Sequence, residues 1–244
     1  MNLAKNITYS GIFLICIFFY ACKKDIVRST TANLLVINAS PNSSTINFLQ
    51  NLKPLGSFNY ITGLNPPLSS VTIDSGFHNY KLQNGGNEIA SWLYSNRGFH
   101  YSLFVYDSAS ANRVKYFFTQ DNLDTVGLGR QCKLRFVHLA PDLDSLDIVT
   151  PKPSNPAQDS SIAAYSNLKY MGTAAQAQIQ NASVFNSFPG DTAITLRIRR
   201  RIDNSTARSY TFNFVKGKVY SLIVKGYNAR SGRDSLSMSI ITHN

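Results

Sequence analysis

The feature that most constrains the fold of this chain is an internal similarity at a spacing of 100 residues. Residues 34–42, Leu-Leu-Val-Ile-Asn-Ala-Ser-Pro-Asn, recur as residues 134–142, Leu-Arg-Phe-Val-His-Leu-Ala-Pro-Asp. Residues 98–105 and 217–224 likewise share the pattern Gly-x-x-Tyr-Ser-Leu-x-Val. Self-similarity at a fixed spacing is typical of a repeated structural unit. The sequence therefore predicts two consecutive copies of one unit.

Both copies have the pattern of short β-strands joined by turns. The runs 77–83 and 88–94 flank Asn-Gly-Gly-Asn, which is a hairpin signal because glycine readily adopts a positive φ. No window shows a sustained helical stripe, although 174–179 fits either a short helix or a strand. Hydrophobic residues make up 43% of the chain, which is enough to bury a core. We expect an all-β chain of two tandem Ig-like antiparallel β-sandwich domains, residues 33–129 and 130–244.

The N-terminus has the pattern of an export signal. Lys5 precedes an apolar run at 12–19 that is too short for a permanent membrane span. The run leads through an alanine to Cys22-Lys-Lys-Asp, which resembles the lipobox of bacterial lipoproteins, in the relaxed form of the Bacteroidetes. This resemblance implies a lipoprotein signal peptide at residues 1–21, a lipid on Cys22, and a linker at residues 22–32. An ordinary secretory signal or a single uncleaved anchor is the alternative.

The second copy also carries a family resemblance. Residues 134–142 and the Leu-Asp-Ile at 146–148 resemble the opening of a bacterial envelope family catalogued as domain of unknown function 4397. The resemblance covers most of the second copy and, more faintly, the first, in which asparagines replace His138, Asp142 and Asp147. It implies secreted or lipid-anchored Ig-like sandwich modules, often in tandem. Because the family has no established activity, the resemblance implies a fold and a location but no chemistry.

Positive charge is concentrated in the second copy. Residues 31–129 contain five Lys/Arg and five Asp/Glu, whereas residues 130–244 contain fifteen and seven. A strand period of two divides the segment 195–202 into two faces. One face carries Leu196, Ile198, Arg200 and Ile202, and the other carries Arg197, Arg199 and Arg201. We call these last three residues the arginine row. Three neighbouring guanidinium groups suit carboxylates, phosphates or sulfates, and a solubilising face or a guarded edge strand is the alternative.

Residues typical of catalytic or metal sites are sparse. The acidic loop of Asp142, Asp144 and Asp147 lacks the glycine and closing glutamate of an EF-hand, so we expect an Asx-turn and an internal polar contact instead of calcium. The four histidines have no metal-ligand spacing, and no nucleophile elbow or phosphate-binding loop occurs. Cys132 is expected to be a small buried hydrophobe. We expect no enzyme, no catalytic residue, no metal and no cofactor. The alternative, a hydrolase, requires a deep pocket with perturbed carboxylates in the acidic loop.

Two further patterns each have two interpretations. Five aromatic residues fit either a sugar-stacking platform or the core, and we favour inward packing; they are Tyr60, Trp92, Tyr94, Tyr165 and Tyr170. Five Asp-Ser or Asp-Thr pairs resemble the O-glycosylation sites of Bacteroidetes envelope proteins, and turn chemistry explains them equally well. Their aspartates are Asp107, Asp124, Asp144, Asp191 and Asp234.

Together these observations predict a lipid-anchored cell-envelope protein, an outer-membrane lipoprotein facing the periplasm or the cell surface. We expect a non-catalytic binding or structural module. Its expected contacts are the membrane, through the lipid on Cys22, and an anionic glycan or envelope protein, through the basic second domain. Nucleic acid is not an expected partner, because an exported protein rarely meets it and no aromatic residues alternate with the arginine row. The alternative is a scaffold or assembly subunit that recognises a protein by edge-strand pairing.

Overall fold

A computed structural model of the chain describes residues 30–43, 45–67, 69–84, 87–107 and 114–243. At residues 87 and 89–93 only the backbone is described. About 60% of the structure is strand and 7% is helix, so the predicted all-β sandwich class is confirmed.

The described residues of the first half form eight strands in two sheets. The strands are β1 (Thr31–Asn38), β2 (Thr45–Gln50), β3 (Lys53–Asn59), β4 (Ser69–Asp74), β5 (Gly76–Asn84), β6 (Asn87–Ser95), β7 (His100–Asp107) and β8 (Val114–Asp121). Sheet 1 has the order β3-β2-β5-β6, and sheet 2 has the order β4-β1-β7-β8.

The second half has the same strand order with additional elements. Its strands are β9 (Gln131–His138), β10 (Ser145–Lys152), β11 (Asn155–Ser161), β12 (Leu168–Lys169), β13 (Asn186–Pro189), β14 (Thr192–Arg200), β15 (Thr206–Phe214), β16 (Val219–Lys225) and β17 (Ser237–His243). Sheet 3 has the order β13-β9-β16-β17, and sheet 4 has the order β11-β10-β14-β15 with β12 beside β10. One α-helix, α1 (Gln176–Ser183), precedes β13.

Sheets 2 and 3 are mixed, not purely antiparallel as expected. In sheet 2, β1 runs parallel to β7, and in sheet 3, β9 runs parallel to β16. The remaining neighbours in both sheets are antiparallel. The parallel pairs arise because the first strand of each half lies beside its second-to-last strand in the centre of a sheet.

Different side chains close the same turn after β1 and β9. The Asn38 side chain accepts a hydrogen bond from the amide two residues later at 3.1 Å and donates to the carbonyl five residues later at 3.4 Å. His138, which is 100 residues further along, makes the same two bonds at 3.3 and 2.9 Å. Burial lowers the pKa of His138 to about 4, so its ring is neutral at pH 7. Both residues therefore act as structural hydrogen-bonding groups at a sandwich end.

Each pair of sheets encloses its own apolar core. Between sheets 1 and 2 the core includes Leu34, Val36, Ile46, Phe48, Leu82 and Leu103. Between sheets 3 and 4 it includes Leu134, Phe136, Leu146, Ile148, Leu196 and Leu222. Inward and outward residues alternate along sheets 1 and 4, as is typical of a sheet with one solvated face.

A third apolar core joins the two sandwiches. It contains Ile37, Phe104 and Phe117 from sheet 2, and Val137, Ile223 and Ile241 from sheet 3. Sheets 2 and 3 are therefore buried on both faces, and the four sheets are stacked in the order 1-2-3-4. Burial on both faces explains why β7 and β16 are buried almost without interruption.

Two local expectations differ from the structure, and the structure decides a third that the sequence left open. Ile202 does not share the inward face of Leu196, because β14 ends at Arg200 and the side chain is 90% exposed in the following turn. The three prolines of segment 150–156 favour a stiff, extended loop, but the segment contributes to the β10–β11 hairpin, whose register shifts at Pro151. The ambiguous segment beginning at residue 174 is helical from Gln176.

Candidate functional site

Two residues of the arginine row, Arg197 and Arg199, lie on the outer face of sheet 4, and Arg201 lies in the turn after β14. Arg197 Nη1 contacts Asp159 Oδ1 at 2.8 Å. Arg199 Nη2 and Arg201 Nη1 contact the two carboxylate oxygens of Asp147 at 2.9 and 2.8 Å. The structure therefore brings the three predicted guanidinium groups together, and it pairs them with two carboxylates.

Asp147 is the centre of this cluster because β10 and β14 are neighbours and Asp147 lies opposite Arg199 in their register. Its carboxylate also accepts a hydrogen bond from the Asn167 amide at 2.8 Å. Burial works to raise the pKa of Asp147, but the Asn167 amide and the two guanidinium groups stabilise the anion and hold the pKa below its ordinary value. Asp147 therefore makes the internal polar contact predicted for it, with two arginines as partners.

The ion-paired row keeps free hydrogen-bonding capacity. Three arginines and two aspartates leave the cluster with one net positive charge. Each guanidinium group has five N–H donors, and Arg201 uses one of them on Asp147. Arg199 Nε is buried without a hydrogen-bond partner among the described residues, so it adds nothing to this capacity. The cluster is thus suited to orienting guanidinium groups toward an anionic group, and it also fits a solvated face.

Arg200, which sequence periodicity assigned to the inward face, is half-buried. Its Nε donates to Ser205 Oγ at 2.8 Å, and its guanidinium pairs with Asp203. A cleft of about 330 Å³ lies beside it, lined by Asp142, Leu143, Asp144, Ser145, Arg200, Arg201 and Ile202. The third acidic residue, Asp147, is engaged by the arginines, and its lowered pKa does not suit a general acid.

The other two aspartates of the acidic loop have structural partners. Asp144 pairs with Lys169 at 2.6 Å, and Asp142 accepts a hydrogen bond from the Ala229 amide at 2.9 Å. Asp142 therefore anchors the segment after β16, and that bond replaces the Asx-turn within its own loop that the sequence suggested.

A second polar cluster lies between sheets 2 and 3, and sequence reasoning missed it. Arg135 on β9 is fully buried, and its Nη1 contacts Asp121 of β8 at 2.7 Å. Its Nε donates to Ser221 Oγ at 2.6 Å and its Nη2 donates to Ser102 Oγ at 3.0 Å. The guanidinium also lies 4.3 Å from the centre of the Phe185 ring. This cluster connects the two sandwiches by a charge-assisted network inside their apolar interface.

One edge of this cluster has the order of groups found in a nucleophilic triad. Ser221 Oγ lies 2.7 Å from His243 Nε2, and His243 Nδ1 lies 3.7 Å from Asp121 Oδ2. A cleft of about 370 Å³ above it is lined by nine residues, among them His100, Asp121 and His243. Ser221 lies below the cleft and is fully buried, and its oxygen accepts a hydrogen bond from Arg135. A nucleophile needs access to its substrate, so this arrangement is suited to holding sheets together and not to attack.

Burial governs the protonation of this cluster. It raises the pKa of Asp121 and lowers that of Arg135, and their direct contact favours the charged form of both. Burial, together with the neighbouring Arg135 and His100, lowers the pKa of His243 to about 3, so its ring is neutral. The sequence did hold a signal for the cluster, because Arg135 interrupts an apolar strand where the first copy has Leu35.

The remaining predicted residues divide into core, surface and undescribed positions. Cys132 is fully buried and burial raises the pKa of its thiol to about 11, which fits the small hydrophobe expected. Among the candidate aromatic residues, Tyr60, Tyr165 and Tyr170 are buried as expected. Tyr94 is 59% exposed, so its expected inward packing is wrong, because it lies on the outer face of sheet 1 opposite Phe77. The side chain of Trp92 and the whole of Cys22 lie outside the described residues.

Within the described ranges, no group of three or more His, Cys, Asp or Glu side chains could hold a metal ion. In the same part of the chain, no helix has the length and apolar character that crossing a membrane requires.

Comparison with protein families identifies one domain. Residues 32–149 match the family model described as Domain of unknown function (DUF4397). The match spans the whole first sandwich and continues through β9 into β10. It ends before the segment in which the second half carries α1 and its other additional elements. The sequence resemblance to this family is therefore confirmed for these residues, although it was expected to extend over most of the second copy. A search of curated proteins found no match.

Proposed function

We propose that this protein is a non-catalytic binding module of the bacterial cell envelope, and that its arginine row recognises an anionic glycan. The observation that carries the proposal is that Arg197 and Arg199 on β14 and Arg201 in the turn after it each pair with a carboxylate at 2.8–2.9 Å. Preorganised guanidinium groups with remaining N–H donors are the groups that bind carboxylates and sulfates in two-point contacts.

The distribution of charge also favours the second sandwich as the part of the molecule that binds an anionic ligand. The first half is balanced at five basic and five acidic residues, whereas the second has fifteen and seven. A polyanion is therefore attracted to the second sandwich over a distance set by the ionic strength. The buried environments of Ser221 and Cys132 support a module that binds without catalysing a reaction.

The proposal includes an origin by tandem duplication and a lipid anchor on Cys22 in a Bacteroidetes-type envelope. Equivalent strand orders in the two halves and the matched turns at Asn38 and His138 support duplication. The apolar run before Cys22 supports the anchor. Replacing Cys22 with serine should move the protein from the membrane fraction to the soluble fraction. Retention of C22S in the membrane would contradict a lipid attached at that residue.

The glycan proposal is tested with a triple variant, R197S/R199S/R201S. Dextran sulfate and polygalacturonate are the anionic probes, and uncharged dextran is the negative control. We expect the variant to bind the anionic probes at least tenfold more weakly than the natural chain, and we expect 0.5 M salt to weaken binding of the natural chain. The matched control is K53S/R97S/K115S, which removes three exposed charges from the first sandwich and should bind nearly as well as the natural chain. Equal losses in both variants would indicate general charge attraction and overturn the role of the row.

A specific feature also favours the second candidate, a scaffold that pairs with a protein strand. β15 is nine residues long and lies at the edge of sheet 4, with β14 as its only strand neighbour in the part of the chain that the structure describes. Such an edge offers unpaired backbone groups to another strand. A photo-crosslinker at the exposed position Arg208 should capture an envelope protein in intact cells if this candidate is correct. Recovery of the same protein with the crosslinker at Arg97 instead would contradict pairing at this edge.

A further inference from the structure

The outer face of sheet 1 carries an exposed aromatic pair that the proposed function does not use. Phe77 on β5 and Tyr94 on β6 are direct cross-strand partners, and they are 63% and 59% exposed. Large aromatic side chains usually lose most of their exposure in a folded protein, and a pair exposed side by side is typical of a contact surface. Because neighbouring strands are about 4.8 Å apart, the two rings together cover an area similar to one pyranose ring.

Apart from Leu49, the side chains that the structure describes on the rest of this face are mostly polar. Thr45 Oγ1 donates to Asn59 Oδ1 at 2.8 Å, and Ser57 Oγ donates to Asn47 Oδ1 at 2.6 Å. Each bond uses one of the two acceptor positions of an amide oxygen, and the two NH₂ groups make no bond among the described residues and remain donors. Amide donors beside aromatic rings suit the hydroxyl groups of a sugar.

The charged groups of the face cancel each other. Lys81 pairs with Glu88 at 2.6 Å, and Gln83 donates to the same carboxylate at 3.3 Å. Phe77 and Gln83 lie on the same face of β5, six residues apart, so the aromatic and polar ends are separated by about 20 Å at the rise of a β-strand. That length accommodates several sugar units, and the balanced charge offers no attraction to a polyanion.

We propose that the outer face of sheet 1 binds a neutral polysaccharide, with Phe77 and Tyr94 stacking on the sugar rings and the amide groups at the other end binding hydroxyl groups. This site is separate from the arginine row in position, ligand charge and salt dependence.

The test uses the mature chain in affinity electrophoresis through gels that contain soluble β-glucan, mannan or xylan. At least one of these polymers should retard the natural chain, and 0.5 M salt should leave the retardation unchanged. The variant F77A/Y94A should bind that polymer at least tenfold more weakly. The matched control is F99A, because Phe99 is an exposed aromatic residue at 43% that lies in the turn before β7. It should bind as the natural chain does.

Two further measurements keep the result interpretable. The only tryptophan of the chain, Trp92, lies two residues from Tyr94 on β6, so its fluorescence should change when the polymer binds. If F77A/Y94A folds poorly, the variant F77V/Y94V retains strand-forming side chains and still removes both rings. The proposal is overturned if none of the three polymers binds, or if a folded variant without the rings binds normally. The variant R197S/R199S/R201S should still bind the neutral polymer, and F77A/Y94A should still bind dextran sulfate. The two proposals can therefore be refuted independently.

Discussion

The buried contact between Arg135 and Asp121 leads to the most demanding prediction. Replacing Arg135 with leucine, the residue at the equivalent position of the first half, should destabilise the protein strongly. Both partners are almost fully buried, so the substitution leaves an uncompensated carboxylate between sheets 2 and 3. Removing one partner of a buried ion pair costs about 3–5 kcal/mol. For a chain of this size, that cost corresponds to a decrease in Tm of roughly 6–20 °C.

The pH dependence of R135L follows from the same carboxylate. Burial already raises the pKa of Asp121 in the natural protein, and loss of Arg135 removes the neighbour that opposes this shift. When the pKa of a carboxyl group is higher in the folded state than in the unfolded state, the group stabilises the fold at pH values below its unfolded-state pKa. That stabilisation is lost as the pH rises through its folded-state pKa. The difference in unfolding free energy between R135L and the natural chain should therefore be smaller at pH 4.5 than at pH 7.5.

Urea unfolding followed by circular dichroism at both pH values measures these differences. The control R97L removes an exposed arginine and should change the free energy of unfolding by less than about 0.5 kcal/mol. The double variant R135L/D121L should recover much of the loss, since apolar replacement of both partners is often neutral. The reasoning is refuted if R135L loses less than about 1 kcal/mol at pH 7.5, or if its loss grows as the pH falls.

Two further predictions concern groups buried at the core. In the folded protein the pKa of His138 is about 4, which is lower than in the unfolded chain. The neutral ring therefore contributes to the stability of the fold at pH values above the unfolded-state pKa, and this contribution is lost as the pH falls toward 4. The variant H138N introduces the residue found at position 38 and removes the titrating ring. Its free energy of unfolding, measured with urea, should decrease between pH 6.5 and 4 by up to about 3 kcal/mol less than that of the natural chain. An unchanged pH profile would contradict a neutral buried ring. Cys132, with a buried thiol whose pKa is raised to about 11, should react with a thiol reagent at pH 8 only after denaturant is added. Rapid labelling of the native protein would show that the core around this residue opens.

The all-β class could be predicted from the sequence because strands depend on local patterns. Cys132 was correctly placed in the core, since it begins a run of apolar residues. Ile202 and Tyr94 were assigned to the wrong environment, because an alternating pattern does not reveal where a strand ends or which face the second sheet covers. These two errors have the same physical cause, which is that burial depends on partners distant in the chain.

The packing of sheet 2 on sheet 3 was not predicted, although the chain held an indication of it. The strands β7 and β16 are apolar on both faces, which is expected for strands that are covered on both sides. The candidate site was predicted only in part for a similar reason. The spacing of Arg197, Arg199 and Arg201 indicates a shared face, but their pairing with Asp147 and Asp159 depends on strand neighbours 38 and 52 residues away.

The stacking of four sheets determines how many ligands the protein can engage at once. Sheets 1 and 4 form the two ends of the stack, and their open faces point in opposite directions. With successive sheets about 10 Å apart, roughly 30 Å of packed protein separates these faces. A single short oligosaccharide therefore cannot contact both, whereas two different polymers can be held simultaneously. If both proposed sites bind their ligands, this geometry is that of a cross-link between two polymers and not that of a clamp around one chain.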